Sequence, residues 1–450
     1  MLKKNPKSDG QRDIFRPRLE EFIDMNDPLV KLAHIIDWDA LENDLSQYYC
    51  ADNGRPGGSI RLMAGLCILK DKEGLSNEEV CYRWQRDPYF QYFCGEEYFQ
   101  HEGPVKPPSI SIFRGRIGEA GHECILAGTI KAGLASGAVD KRDLEKVTVD
   151  TTVQEKAVKF PTDTQLCHKA REELVKLAKA QEVPLRQSYV RKGAEARFNA
   201  NRYMAARQVG RGRAQIKKCR NYLGRVMRDI RRTVEKDPFL ELMFRENLEK
   251  ARIIHEQTLN PKAENKLYSW HAPEVECIGK GKAHKRYEFG CKASYVTTNK
   301  SNFIVGAMAL HGKPYDGHTL KKALEQAQRL TVAKPKEVHI DLGYRGHGIE
   351  DEDTKIIQAR QKRGITRAMR KRQKRRNAIE PVIGHCKNDR KVGPRNWLQG
   401  ETGDKINAIA MAIGFNIRKI LRKIFLWLFQ KLLAMLDLLC PHLKIGLFYG

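Results

Sequence analysis

Two short strand-like runs, each ending on an aspartate, constrain the fold of this chain more than any other feature. The residues VTVD at 147–150 alternate valine and threonine as a short strand does, and the run ends on Asp150. The residues EVHID at 337–341 form a second such run, which ends on Asp341. We therefore expect two core strands with one aspartate at the end of each.

The segments around these runs predict the rest of the fold class. Two longer strand-like runs, KRYEFGCKASYVTT and NFIVGAMALHG, are joined by the turn-forming NKSN and predict an antiparallel hairpin. The helical run HTLKKALEQAQRL lies between the hairpin and Asp341, and a helix that carries Glu380 follows. The order of strand, inserted helices, hairpin, helix, strand and helix predicts a mixed α/β (α+β) fold.

The length of the chain predicts more than one domain, since 450 residues suggest two or three. We expect an N-terminal helical domain at 1–140, a catalytic domain at 141–420 that is interrupted at about 165–267 by a basic helical insertion, and a C-terminal segment at 421–450. Charged residues interrupt the apolar C-terminal run before it reaches the roughly 20 residues that a membrane span needs. We expect an amphipathic helix there that packs on a core or a partner subunit, with membrane contact as the alternative.

The charge of the chain favours a polyanionic partner. It has 82 Lys and Arg against 55 Asp and Glu, a formal net charge of +27. Between Arg186 and Arg232 there are fifteen basic residues and two acids, a density that would repel itself without phosphates nearby. A second run, Arg360 to Arg376, has ten basic residues and no acid. It is interpreted as a contact to the DNA backbone, with a solvated basic loop as the alternative.

The segment SISIFRGRIGEAG is a candidate for reading DNA. It starts at a plausible helix cap, Ser109, and carries Arg114 and Arg116 beside apolar side chains. One interpretation is the second helix of a helix-turn-helix, in which both arginines bind DNA. The other is a surface helix with ordinary arginines. Further upstream, Ser76 and Glu79 have the spacing of a capping box and predict a helix start.

The cysteines and the N-terminus favour a reducing compartment. Eleven cysteines are scattered along the chain with no Cys-x-x-Cys pair, so neither a disulfide framework nor a zinc ribbon is indicated. The N-terminal MLKKNPKSDGQRD is polar and lacks the apolar core of a signal peptide. We therefore expect a cytoplasmic protein.

Two aspartates at strand ends and a glutamate on a later helix suit two-metal phosphoryl chemistry. Hard Mg²⁺ prefers carboxylate oxygens, and two ions can clamp the attacking and the leaving oxygen. We expect Asp150, Asp341 and Glu380 to bind two divalent ions, Mg²⁺ with Mn²⁺ as a substitute. Asp316, just before the helix that follows the hairpin, either caps that helix or lies near the metals.

The helix around Glu380 supports this interpretation. At about 100° per residue, Arg376 lies about 40° from Glu380, and Gln373 and Lys387 lie within about 20° of it. An acid, an amide and two bases on one face suit a metal ligand flanked by phosphate contacts. The alternative is an exposed helix face on which Arg376 pairs with Glu380.

Three motifs resemble the DDE transposases of bacterial insertion sequences, in particular the class named after insertion sequence five. They are VTVDTTV, HIDLGYRGHG and RRNAIEPVIGHCK. The family places Tyr, Arg, Glu and Lys in the pattern Y-x2-R-x3-E-x6-K. Arg376, Glu380 and Lys387 match it, while Gln373 stands in the tyrosine position. Tyr344, in DLGYRG, is a candidate to replace that tyrosine as a DNA contact, together with the adjacent Arg345.

The resemblance implies an RNase H-like catalytic core in which Asp150, Asp341 and Glu380 are the catalytic metal ligands. It implies cleavage at terminal inverted repeats, which the N-terminal helices help to bind, and joining of the 3′-hydroxyls to target DNA. A homodimer that holds two ends, in the cytoplasm of a bacterium and associated with its nucleoid, would follow. Two alternatives remain, a non-catalytic DNA-binding protein or repressor derived from a transposase, and an RNase H-like nuclease without end specificity.

Overall fold

The protein is described by a computed structural model over residues 16–50, 57–279, 285–349, 352–389 and 393–439. The first fifteen residues of the predicted N-terminal domain and residues 440–450 of the predicted C-terminal segment lie outside the described residues. The chain divides into two compact units, one formed by Met1–Gln154 with Lys292–Gly450 and the other by Glu155–Cys291.

The N-terminal part of the first unit is helical, as predicted. Asp27, Asp37, Ser59 and Asp87 each accept a hydrogen bond from a backbone N–H of the helix that follows. The predicted capping box is confirmed, because Ser76 and Glu79 each bind the backbone N–H of the other. The helices are α1 (Leu19–Phe22), α2 (Pro28–Ile35), α3 (Trp38–Ser46), α4 (Ile60–Glu73), α5 (Asn77–Arg86), α6 (Pro88–Phe93), α7 (Pro107–Ala135) and α8 (Lys141–Leu144).

Helix α7 begins at Pro107 with Lys106 as its cap, so the predicted cap at Ser109 is wrong: the prolines at its first positions let the helix start three residues earlier. It kinks at Gly118, whose φ of 57° and ψ of −156° are not helical. A left-handed φ is open to glycine because it has no Cβ. Arg114 and Arg116 therefore lie on the part of α7 that precedes the kink.

The second unit is a set of helices with its own hydrophobic core. The helices are α9 (Asp163–Ala180), α10 (Val190–Ala205), α11 (Val209–Val234) and α12 (Pro238–Leu259). Leu174, Leu223, Phe244 and Ile254 are fully buried among them. The insertion is helical as predicted, but the compact unit that contains it is wider than the predicted 165–267.

The strands are β1 (Lys146–Glu155), β2 (Glu276–Gly279), β3 (Tyr287–Thr298), β4 (Ile304–Leu310), β5 (Glu337–Ile340) and β6 (Lys355–Gln358). In the first unit, β3 and β4 pair antiparallel, which confirms the predicted hairpin. Strand β1 lies between β3 and β5, and β1, β5 and β6 run parallel. In the second unit, β2 pairs antiparallel with the first residues of β3. The mixed α/β prediction is confirmed.

The last four helices belong to the first unit. They are α13 (Asp316–Thr331), α14 (Arg367–Arg375), α15 (Ile379–Asn388) and α16 (Gly400–Leu439). The predicted C-terminal helix thus begins at Gly400, well before residue 421. Isoleucines at helical spacing bury one face of α16 against α2, α4, α7 and β4, namely Ile406, Ile409, Ile413, Ile417, Ile420 and Ile424.

The N-terminal helices and the sheet share a single hydrophobic core. This core includes Leu19, Phe113, Val149, Tyr295 and Ile417, which come from both ends of the unit. The predicted domain boundary near residue 140 is therefore not a boundary in the structure, because α16 packs against α7 and α4. Among the described residues, no helix is both long and apolar enough to span a membrane.

Candidate active site

The pairing of β1 with β5 brings the two predicted aspartates together. The parallel register pairs Lys146 with Glu337 and Thr148 with His339. Continued by two residues, it places Asp150 level with Asp341. Asp341 follows the last residue of β5, as predicted, whereas β1 continues to Glu155. The prediction that Asp150 ends its strand is thus wrong, because β1 runs on beside β3 after β5 has ended.

The electrostatic environment of Asp150 shows which charges lie near it. Burial raises the pKa of Asp150 to about 6, and the charges of Asp341 and Glu380 add to that increase. The backbone N–H of Thr151, 2.8 Å from Oδ1 of Asp150, and the Arg376 guanidinium act in the opposite direction. Asp341, Glu380 and Arg376, all predicted for the site, therefore lie near Asp150.

The acid cluster, defined as Asp150, Asp341 and Glu380, is open rather than closed. Oxygens of the three side chains do not all lie within 4.8 Å of one another. Nη2 of Arg376 lies 3.7 Å from Oδ1 of Asp341, whose side chain is half exposed. Glu380 is exposed on α15. A single ion held by one oxygen of each acid would therefore require the side chains to move.

The helix that carries Glu380 is interrupted. Helix α14 ends at Arg375, a 3₁₀ turn covers Arg376–Ala378, and α15 begins at Ile379. A 3₁₀ turn advances about 120° per residue, about 20° more than an α-helix, so these three residues rotate Gln373 by about 60° relative to Glu380. Gln373 donates to the carbonyl oxygen of Gln358, at 2.6 Å. Gln373 thus attaches α14 to the end of β6, and that it shares a face with Glu380 stays a prediction.

Lys387 lies beside the acid cluster. Its Nζ donates to Oγ1 of Thr152 at 2.6 Å, and Thr152 lies two residues after Asp150 on the same side of β1. Lys387 and Glu380 are both in α15, seven positions apart and within about 20° of each other. The structure therefore brings Arg376, Glu380 and Lys387 to the strand that carries Asp150.

Tyr344 and Arg345, which follow Asp341, have different surroundings. Tyr344 ends a 3₁₀ turn and is 1% exposed. Burial raises the pKa of its hydroxyl, and the charges of Asp150 and Asp316 raise it further. A side chain buried to this extent does not reach DNA, so the prediction that Tyr344 contacts DNA is wrong. Tyr344 packs in the core near Asp150 and Asp316. Arg345 is exposed.

Asp316 is a neighbour of the cluster. It is the first residue of α13, and the helix cap, Tyr315, makes no side-chain cap hydrogen bond. Oδ1 of Asp316 accepts from Oγ1 of Thr151 and from Nζ of Lys292, each at 2.9 Å. The interpretation of Asp316 as a helix cap is wrong, and its carboxylate adjoins Asp150 through Thr151. This agrees with the alternative drawn from the sequence, that Asp316 lies near the acids, whereas no local sequence signal identifies Thr151 or Lys292.

Part of the basic run Arg360 to Arg376 makes structural contacts with the sheet. Arg372 binds Glu337 with two hydrogen bonds of 2.6 and 2.7 Å, and Nε2 of His339 lies 2.7 Å from the same carboxylate. Burial opposes ionisation of Glu337, but the bonds from His339 and Arg372 outweigh it and lower its pKa to about 2. Other basic residues of the run are exposed and remain candidates for phosphate contact, namely Lys362, Arg363, Arg367, Arg370, Lys371 and Lys374.

Arg114 and Arg116 lie among the N-terminal helices. The Arg116 guanidinium lies 4.7 Å from the ring centroid of Tyr49. Nη2 of Arg114 donates to Oγ of Ser111 at 3.2 Å, and its side chain lines a cavity of about 540 Å³ together with Trp397. These contacts join both arginines to the helical part of the unit. Among the described residues, no contact joins them to the acid cluster.

Two comparisons with known proteins match part of the chain, and one of them covers the N-terminal helices. A family model described as "Transposase domain (DUF772)" matches residues 17–116, which include α1 to α6 and the start of α7. The chain is 44% identical over 201 residues to "Uncharacterized protein ORF8 in nfe locus" of Rhizobium meliloti, a match that covers 45% of this chain and 97% of that protein. No solved structure matches the chain. The acid cluster lies outside the range of the family model.

Proposed function

Because this chain belongs to a transposase-related family, as the matched domain and the Rhizobium relative show, we propose that it is a DDE transposase of the insertion sequence five class. The domain implies an interaction with DNA in general. The observation that carries the proposal is the register of β1 and β5, which sets Asp150 beside Asp341, with Glu380 near Asp150. Paired acids can hold the metal ions that assist cleavage of DNA, and an adjacent arginine and lysine suit contacts to its phosphates.

We propose an RNase H-like core for the part of the chain that carries the acids. In support, an antiparallel hairpin lies on one side of β1 and the parallel strands β5 and β6 on the other. Ligands of open sheets with parallel strands collect at the carboxyl ends of those strands. Asp341 lies at that end of β5.

The acid cluster fits divalent metal ions. Burial and two neighbouring acids oppose ionisation of Asp150, and a bound cation would relieve this cost. The donors are carboxylate oxygens, which suit Mg²⁺ and also Mn²⁺. Two ions, with the acids shared between them, suit the open cluster better than one. Bound there, the ions would supply an activated water and neutralise charge on the scissile phosphate.

The side chains around the acids would position the DNA. Arg376 can shift from Asp341 to a phosphate oxygen, which a guanidinium binds with two parallel bonds. Lys387 and the exposed Arg345 add positive charge beside β1 and after β5. Water is the nucleophile in the first step and a 3′-hydroxyl in the second, so no covalent protein intermediate is needed. Positioning and charge neutralisation are the main tasks of the protein.

The partners follow from the same proposal. The N-terminal helices with Arg114 and Arg116 would bind the terminal inverted repeats, and a homodimer would hold two ends for joining to target DNA. One observation favours the alternative, a DNA-binding protein or repressor without catalysis: the family model matches helices that contain none of the acids.

The test uses the full chain and DNA that carries the inverted repeats flanking its gene. With Mg²⁺, Asp341→Asn should lower cleavage and joining by at least about a hundred-fold, because a metal ligand is lost, while binding of the repeats persists. Glu325→Gln, an exposed acid on α13, is the matched control and should cleave normally. Equal cleavage by Asp341→Asn and the wild type would overturn the proposal. Binding without cleavage by the wild type would favour the repressor.

A further inference from the structure

The second unit contains a concentration of positive charge that the acid cluster does not explain. Helix α11 has nine Lys and Arg and a single acid, Asp229. The neighbouring α12 has three basic residues and four acids. Two helices of one small unit thus differ sharply in charge, so the excess on α11 is a local feature and not a property of the whole insertion.

The positive charge on α11 lies on one face. At about 100° per residue, its large buried side chains, Cys219 to Val234, cover about 100° of the circumference. The exposed basic residues occupy about 160° on the opposite side. They are Arg211, Arg213, Lys217, Lys218, Arg225, Arg228, Arg231 and Arg232. We call these eight residues the α11 basic face.

Among the residues that the structure describes, most cations of this face have no acidic partner. On α9 and α12, Lys169 pairs with Glu173, Lys250 with Glu246, and Arg252 with both Glu249 and Glu256. On α11, the ion pair within the described residues is that of Arg232 with Asp229, at 3.3 Å. The local field is positive enough that, after burial, Arg220 and Arg228 help to lower the pKa of His255. The α11 basic face is therefore available, within the described residues, to an external anion.

The length of the helix indicates which anion. With 26 residues, α11 is about 39 Å long. One turn of duplex DNA spans about 34–36 Å and presents phosphates along that whole length. Small anions or an acidic peptide would neutralise part of such a face, whereas a duplex running beside it can neutralise all of it.

We propose that the α11 basic face binds the phosphate backbone of duplex DNA, independently of base sequence. This proposal goes beyond the proposed function, which assigns DNA binding to the acid cluster and the N-terminal helices. It does not depend on metal binding by Asp150, Asp341 and Glu380. Phosphate contacts fix the position of a protein on DNA without reading its sequence. They also release counterions, so binding through this face weakens steeply with salt.

The test compares two triple variants of the full chain that lose the same charge. Arg213→Gln, Lys217→Gln and Arg228→Gln remove three exposed cations that lie within about 60° of one another on α11. Lys169→Gln, Lys250→Gln and Arg252→Gln remove three ion-paired cations of the same unit. Both are made in the Asp341→Asn background and measured in EDTA, on duplex DNA of random sequence and on duplex RNA of the same length.

The α11 triple should weaken DNA binding by at least about ten-fold near 0.1 M salt and reduce the slope of log affinity against log salt by about 2 to 3. The control triple should change affinity by less than about two-fold. Equal effects of the two triples, or no effect of the α11 triple, overturn the proposal. Loss confined to the RNA duplex overturns DNA as the partner. Cleavage by Asp341→Asn with Mg²⁺ would overturn the proposed function and leave this result unchanged.

Discussion

Ionising the Asp150 carboxyl group lowers the stability of the fold, and the same group has the proposed catalytic role. Its carboxylate is held in a partly buried position beside two other acids, and its pKa of about 6 expresses the cost of ionising it there. Sequence reasoning found all three acids from strand-like runs and one motif. Asp316 was a candidate neighbour of the metals, as the alternative to a helix cap, but Thr151 and Lys292 were not predicted, because their contacts with Asp316 join segments that are distant in the chain.

The first prediction concerns stability and pH. The folded pKa of Asp150 exceeds the ordinary 3.8, so its contribution to stability is full at low pH and is lost as pH rises through about 6. Asp150→Asn should therefore stabilise the protein at pH 7.5 by about 1 to 3 kcal/mol and have little effect near pH 4. The thermal unfolding midpoint of both proteins at each pH measures this. A destabilised Asp150→Asn at pH 7.5 would contradict it.

Among the secondary-structure elements, the strands and the hairpin were predicted from the sequence more accurately than the helix boundaries were. The run EVHID and the hairpin around NKSN lie where the alternation placed them. The 3₁₀ turn at Arg376–Ala378 was missed, because three residues between two helical segments leave no periodic signal. Basic residues before it suggested a solvated or DNA-binding segment, yet Arg372 reaches across to Glu337 on β5.

The second prediction concerns the attachment of α14 to β5. Arg372→Ala leaves Glu337 charged and buried, so it should lower the free energy of unfolding by about 2 to 4 kcal/mol at pH 7. The pKa of Glu337 is depressed, so the stabilisation is present above its ordinary 4.5 and is lost as pH falls towards 2. Denaturant unfolding at several pH values should show the gap to wild type closing below pH 4. Lys371→Ala, at an exposed position, is the control and should show no such gap.

At the scale of the molecule, the N-terminal helices and the sheet form one unit, and a second unit surrounds the basic insertion. Sequence composition located the insertion but placed a boundary near residue 140 that the core does not have. The reason is α16, whose apolar stripe lies in the last part of the chain and packs against α4 and α7. Its sequence shows that it is amphipathic and does not show which helices it covers.

The third prediction tests this packing with two glycine substitutions. A Cβ on Gly414 of α16 would lie 2.3 Å from the carbonyl oxygen of Asp71 in α4, whereas a Cβ on Gly128 of α7 meets nothing within 4 Å. Gly414→Ala should lower the thermal unfolding midpoint, although alanine favours helix. Gly128→Ala should raise stability by up to about 1 kcal/mol. Stabilisation by Gly414→Ala would contradict the packing of α16 on α4.

The central claim, that Asp150, Asp341 and Glu380 hold divalent metal ions, is tested most directly by changing one ligand from oxygen to sulfur. A thiolate binds Mg²⁺ poorly and Mn²⁺ better, since Mn²⁺ lies higher in the affinity order for softer donors. We expect Asp341→Cys to lose cleavage in Mg²⁺ and to regain a measurable part of it in Mn²⁺. Cleavage by Asp341→Cys in Mg²⁺ at the wild-type rate would contradict the claim, as would the absence of any Mn²⁺ rescue in all three single cysteine variants of the cluster.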